Sequence, residues 1–180
     1  TYEDLREEII SEMEQHVPEY PKIYYTPQEN PHLLVIDPAD VHIGKLCSAF
    51  ETGEDYDCEI AVNRVREGVE GILRKASGFK VDQILFVAGN DILHVDSPKR
   101  TTTSGTPQDT DGMWYDNFLK AKRFYVDLVQ RLLHFAPVHF VYNPSNHDYM
   151  NGFFLADVIQ TWFKTCSAVT FDCSIAHRKY

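Results

Sequence analysis

The sequence predicts an α/β protein with a mainly parallel sheet and flanking helices, and three observations predict it. Short apolar runs of strand length alternate with longer stretches whose apolar residues recur every three or four positions, in the order β-α-β-α-β-α-β. The run QILFVAG is continuous rather than alternating, as expected of a strand buried on both faces. The first three runs each pass into a cluster of Asp, Asn or His. In open α/β sheets, ligands bind outside the carboxyl ends of the strands.

Each element follows from its residues. Residues 2–17, YEDLREEIISEMEQHV, are acidic at their start and carry Leu5, Ile9, Ile10 and Met13 at helical spacing. They read as a peripheral amphipathic helix ended by PEYPK, so residues 1–30 form a helix and linker ahead of a main domain over residues 31–180. The run from Leu33 to Ile36 is a short strand that opens into a loop holding Asp37, Pro38 and Asp40. ETGEDYD is polar loop. From Cys58 to Ala76, Ile60, Val65, Val69, Ile72 and Leu73 repeat at helical spacing. QILFVAG, residues 83–89, is a buried strand. The connection over residues 90–112 is long and turn-rich, and loops of that length inside compact domains are often functional. A strong amphipathic helix over residues 114–135 leads to the strand PVHFVY, a third helix at residues 153–165 and a last strand near AVTFD.

Composition narrows the function. The chain has 180 residues, 43% hydrophobic and 24% charged, enough for one domain with a real core. Lys and Arg number 17 against 27 Asp and Glu, a net charge of −10, which argues against broad electrostatic binding to nucleic acid. That argument weakens if some carboxylates hold a divalent ion, which reverses the local sign. The four cysteines show neither CxxC nor zinc-ribbon spacing and read as free thiols of a cytoplasmic protein. No apolar stretch approaches the roughly 18 residues of a membrane span, so no membrane partner is expected.

The polar clusters at the strand ends carry the chemistry. Strand one leads to Asp40-Val41-His42, strand two to Asn90-Asp91, and strand three to Asn146-His147-Asp148. Alone, each has an ordinary explanation: a chance Asp-x-His, a helix cap, a turn. Together, on one sheet edge, two carboxylates, two imidazoles and an amide suit borderline divalent metals such as Mn, Fe, Zn or Ni. Asp40 and His42 project to the same side of an extended segment and can chelate one ion, and Asp91 can bridge to a second. Two ions about 3.5–4 Å apart clamp the attacking and leaving oxygens of a phosphoryl displacement.

Asp40-Val41-His42, Gly89-Asn90-Asp91 and Ser145-Asn146-His147-Asp148 after successive strands resemble the signature of the calcineurin-like metallophosphoesterases. The resemblance spans most of residues 30–175. It implies the N-terminal part of an α/β/β/α sandwich and a two-metal centre. Asp40 and His42 would bind the first ion, Asp91 would bridge, and Asn146 would bind the second. His147 would act as general acid or stabilise the leaving oxygen, and Asp148 would orient it. GNDILHVDSPKR is similar to a loop of the repair nucleases in this superfamily, which implies that His94 helps position a DNA phosphate; the alternative is an ordinary loop histidine. A Thr-rich loop after the second motif also occurs in similar phage proteins.

The chain departs from that pattern in three places. Asn90 and Ser145 stand where the family has glycine, and the later Gly-His and Gly-His-x-His motifs are missing, with His177 the one histidine after residue 150. Either the remaining ligands lie beyond Tyr180, the reading favoured by the survival of the first-half positions, or the chain is a relative that has lost catalysis. On both readings the 180 residues alone are expected to turn over little. Sheet surface left uncovered by a missing half is expected to promote self-association.

The leading expectation is therefore a metal-dependent phosphoesterase, nuclease-like before phosphomonoesterase, with Mn as the first candidate ion and a phosphate ester, DNA included, as substrate. The competing expectation is a catalytically inactive scaffold that keeps the fold as a binding surface. A metal-free nucleotide-binding domain is set aside, because DPADVHIGKL contains neither GxGxxG nor GxxxxGK[ST].

Overall fold

The computed structural model describes residue 20, residues 22–26 and residues 29–176. The expected N-terminal helix and His177 lie outside the described residues. Four parallel strands stand in the order β1-β2-β3-β4: β1 is His32–Ile36, β2 Val81–Gly89, β3 Val138–Asn143 and β4 Val169–Asp172. In register, Ile36 lies beside Phe86, Phe86 beside Phe140, and Phe140 beside Phe171. Side chains paired this way point to one face, so the four form an apolar stripe across the sheet.

The helices cover that stripe. They are α1 (Ala49–Thr52), α2 (Cys58–Ala76), α3 (Trp114–Leu133) and α4 (Tyr149–Trp162). Val69 and Leu73 of α2, Tyr125, Val129 and Leu132 of α3, and Leu155 and Ile159 of α4 share one core with Ile36, Phe86 and Phe140. The other face differs from the sequence expectation of a β2 buried on both sides. There Leu33 and Val35 are 56% and 52% exposed, and neither they nor Leu85 nor Val87 joins the core. The strand order supplies the reason. Strands added in sequence order through crossovers of one hand put every crossover helix on the same side.

Local chemistry sets the element ends. Asp57 caps α2 by accepting from the Ile60 N–H at 2.8 Å, and Arg74 and Lys75 in its last turn complement the helix dipole. Pro137 follows α3 and forces an extended residue before β3. Arg131 of α3 forms a bidentate pair with Glu70 of α2, at 2.6 and 2.9 Å. Tyr20 accepts from Trp162 Nε1 and Gln130 Nε2, and Tyr25 donates to the Leu133 carbonyl, so the linker straps across α3 and α4. Among the described residues no helix is long and apolar enough to cross a membrane, and none of the four cysteines is in a disulfide.

Several boundaries differ from those read in the sequence, among them the end of α3 at Leu133, two residues before the expected one. β2 starts at Val81, two residues early. The single turn α1 takes up Glu51 and Thr52 from the expected loop, capped by Ser48 Oγ and closed by Gly53 at φ 89°. α4 begins at Tyr149 and ends at Trp162 rather than covering residues 153–165; its early start has a non-local cause, given below.

Gly89 ends β2 at φ 136°, and a Cβ there would run into the Asn143 carbonyl oxygen of β3. The position admits neither a side chain nor, easily, an L-residue's backbone. Gly68, inside α2, has nothing within 4 Å of its would-be Cβ. Gly89→Ala is expected to cost about 3 kcal/mol or more in urea unfolding. Gly68→Ala should instead stabilise by about 0.5–1 kcal/mol.

Candidate metal centre

β1 and β2 stay zipped beyond the end of their ladder. The Asp40 N–H donates to the Asn90 carbonyl at 2.8 Å, His42 N–H to Asp91 at 2.9 Å, Ile43 N–H to Ile92 at 2.8 Å, and His94 N–H to Ile43 at 3.1 Å. Holding both loops in step puts Asp40, His42, Asn90 and Asp91 at φ of 54°, 47°, 49° and 68°. Asn, Asp and His enter this left-handed region more readily than other side-chain-bearing residues. The Asn90 departure is thus accommodated as a left-handed residue following Gly89. Ser145 is not among the positive-φ residues, so no glycine is required there.

The zipper brings Asp40, His42 and Asp91 together, with ligand atoms all within 4.8 Å of one another. Asp40 Oδ1 lies 3.7 Å from His42 Nε2. The third loop is hung on the same carboxylate, because the His147 N–H donates to Asp91 Oδ1 at 3.1 Å. Asn146 is exposed on the rim, where it lines a shallow pocket with Asn90, Asp91, Thr103 and Tyr149. Among the described residues no Lys or Arg pairs with Asp40 or Asp91. Two carboxylates and an imidazole without a protein cation are a donor set that fits a divalent metal ion.

Three imidazoles meet beside these carboxylates. His42 and His94 approach Nδ1 to Nδ1 at 3.3 Å, and the His42 and His147 ring centroids are 4.6 Å apart. The His147 Nδ1–H donates to the His94 carbonyl at 2.9 Å. Burial, reinforced by the neighbouring His147, lowers the His42 pKa. The same causes, with His42 and His147 as neighbours, push His94 down to about 3. Comparison with family models, curated proteins and solved structures gave no match. The centre is therefore read from its own geometry.

That geometry brings together all the residues singled out in the sequence and changes the roles of two. Asp148 does not orient His147 through its side chain. It is 0% exposed and accepts from the Leu93 N–H at 2.7 Å and from Ser145 Oγ, while the His147 ring is held by the His94 carbonyl. Asp148 is a buried staple between the second and third loops; burial pushes its pKa up to about 6. His94, 5% exposed, sits beneath His42 and His147 and has no open face for a bulky phosphate. It acts on the two imidazoles above it.

Other residues of the centre were not visible in sequence. Asp96, 6% exposed, accepts from the Asn151 N–H at 2.8 Å and the Met150 N–H at 3.1 Å, and Thr103 Oγ1 donates to it at 2.8 Å. Thr103 Oγ1 also accepts from the Tyr149 N–H. The long loop thus caps α4 from 46 to 55 residues away in sequence, and the helix starts immediately after Asp148. The Thr103 hydroxyl is consumed here. No sequence signal pointed to this: Asp148 stands at the N-cap position but makes no capping bond, so the first N–H groups of α4 take partners elsewhere. Lys45 was also missed; its charge contributes to lowering the pKa of both His42 and His94.

Asp96→Ala leaves two helix N–H groups and a hydroxyl without their acceptor, and is expected to cost about 2–3 kcal/mol in urea unfolding. A second expectation concerns acid. His94 takes a proton near pH 6.5 when unfolded and only near 3 when folded, so the unfolded chain binds more protons between those values. In chelator-treated protein, stability should fall by on the order of 3–4 kcal/mol from pH 7 to pH 3.5 on this account. His94→Gln should flatten the fall relative to wild type in parallel denaturation curves.

Proposed function

We propose that this protein is a metal-dependent phosphoesterase of the calcineurin-like kind, acting on phosphodiesters before phosphomonoesters. The observation that carries the reading is the convergence of Asp40, His42 and Asp91 at two strand ends, with the His147 loop suspended from Asp91. Asp40, His42 and Asp91 would hold a first divalent ion; Asp91 with Asn146 would hold a second. Manganese is the first candidate, with Zn, Fe and Ni as alternatives. Such ions polarise a phosphoryl oxygen and stabilise the charge that builds on it.

The chain's own groups divide the remaining work. His147 keeps its Nδ1 proton on the His94 carbonyl, so it exchanges protons with a substrate through Nε2. Lys45 adds positive charge near His42 and His94, favouring an anionic ester. Thr103 and Tyr149 form part of the rim next to Asn146 and bound the space available to the ester's substituent. The sequence likeness of the residue 89–100 loop to repair nucleases supports a phosphodiester, with DNA as the polymer it suggests, although the buried His94 ring is not the group that would grip the phosphate. The net charge of −10 favours a short or single-stranded segment over a long duplex.

The reading is tested by Mn²⁺ calorimetry alongside hydrolysis of bis(p-nitrophenyl) phosphate. Mn²⁺ should bind, and Asp91→Asn should weaken it by about tenfold or more. Slow, Mn²⁺-dependent release of p-nitrophenol should fall on the order of 100-fold in His147→Ala, with Mn²⁺ affinity kept within about threefold. Absence of metal affinity, or indifference to Asp91→Asn, would establish the scaffold reading in its place.

A further inference from the structure

We propose that His42, His94 and His147 form a second metal site, selective for a zinc-like ion, that cannot be filled together with the carboxylate site. The three rings offer one nitrogen each, all within 4.8 Å of one another. Two nitrogens about 2.0–2.1 Å from one tetrahedral ion lie about 3.3–3.4 Å apart. The His42 and His94 Nδ1 atoms are 3.3 Å apart. Without an ion this contact is an N–H···N hydrogen bond; with one it is the edge of a coordination tetrahedron. His147 keeps Nδ1 on the His94 carbonyl and has Nε2 free as the third ligand. Its ring stands at 71° to His42, with the two centroids 4.6 Å apart.

The donor sets differ in kind. Three neutral imidazoles in a buried pocket suit Zn²⁺, and the carboxylate-rich set beside them suits Mn²⁺. A three-histidine zinc site also leaves a fourth position open.

Exclusion follows from His42 alone. Its Nε2 faces Asp40 and its Nδ1 faces His94. A neutral imidazole has one lone pair, so an ion on Nδ1 makes Nε2 the N–H, and an ion on Nε2 makes Nδ1 the N–H. Zinc at the three imidazoles would therefore withdraw His42 from the carboxylate site and immobilise His147. The exclusion rests on the carboxylate-site reading given above; the three-histidine site does not.

The test is calorimetry with Zn²⁺ and with Mn²⁺, plus the visible absorption of Co²⁺ as a monitor of coordination, on wild type and three variants. His94→Phe and His147→Ala each remove an imidazole. Asp40→Gly removes a carboxylate and keeps the left-handed backbone available. Zn²⁺ should bind once per chain, with affinity lowered on the order of 100-fold in His94→Phe and His147→Ala and changed less than about threefold in Asp40→Gly. Co²⁺ should show the intense bands of four-coordination in Asp40→Gly, and saturating Zn²⁺ should abolish Mn²⁺ binding to wild type.

Zinc affinity lost in Asp40→Gly and kept in both histidine variants would overturn the inference, since zinc would then sit on the carboxylates. Simultaneous Zn²⁺ and Mn²⁺ binding would overturn the exclusion. Mn²⁺ binding with no Zn²⁺ binding would end the inference and leave the phosphoesterase reading intact, whereas no binding of either would end both. If circular dichroism shows His94→Phe unfolded, the half-buried His147→Ala decides.

Discussion

Everything in the centre depends on the backbone zipper between residues 40–43 and 90–94. A parallel ladder ordinarily releases its strands into separate loops. Here four further backbone bonds carry the pairing past the strands, and Ile43 still lies opposite Leu93. Each left-handed residue costs free energy of order 1 kcal/mol, and four of them occur within the paired segments. Four backbone bonds away from bulk water offset a cost of that size. The outcome is geometric. Two loops that would otherwise move independently present Asp40, His42 and Asp91 as one rigid set. The third loop is then fixed to it by His147 N–H on Asp91 and by Asp148 on Leu93.

The four carboxylates near these loops show how position sets the meaning of a charge. Asp96 and Asp148 are buried and spend their oxygens on N–H and hydroxyl donors. They hold loops and have little capacity left for a cation. Among the described residues Asp40 has no Lys or Arg partner, and its side chain is 80% exposed, while Asp91 gives one oxygen to a backbone N–H and retains lone pairs. Only this second pair can exchange its water for a metal. The net charge of −10 is therefore a poor guide to the partner, because it weighs structural and available carboxylates alike.

What the sequence disclosed follows the range of the interactions responsible. α2 was legible to both ends because its cap, Asp57, and its apolar repeat are local. The strands were legible because burial writes continuous apolar runs. The start of α4 was not, since its cap comes from Asp96 and Thr103 across a fold that the sequence does not display. The same holds within the site. Asp40, His42, Asp91, Asn146 and His147 stood out because metal chemistry needs those residue types at strand ends. Asp148 was given the wrong partner because adjacency in sequence suggested His147, whereas the backbone turns its carboxylate inward to Leu93. His94 was left between a phosphate-positioning residue and an ordinary loop histidine, because nothing local signals that its ring lies under two others.

The buried position of His94 bears on how the centre can work at all. An imidazole 5% exposed, with its protonation suppressed by burial and by two neighbouring rings, cannot serve as a charged anchor. It can fix tautomers. Its carbonyl holds the His147 Nδ1–H and so fixes that tautomer, and its Nδ1 meets His42 Nδ1, so the tautomers of His42 and His94 are set together. His42 then offers Nε2 to the carboxylate side, and His147 offers Nε2 to the open side. Because both assignments pass through the loop that the zipper holds in place, the fold that gathers the ligands also selects their reactive atoms.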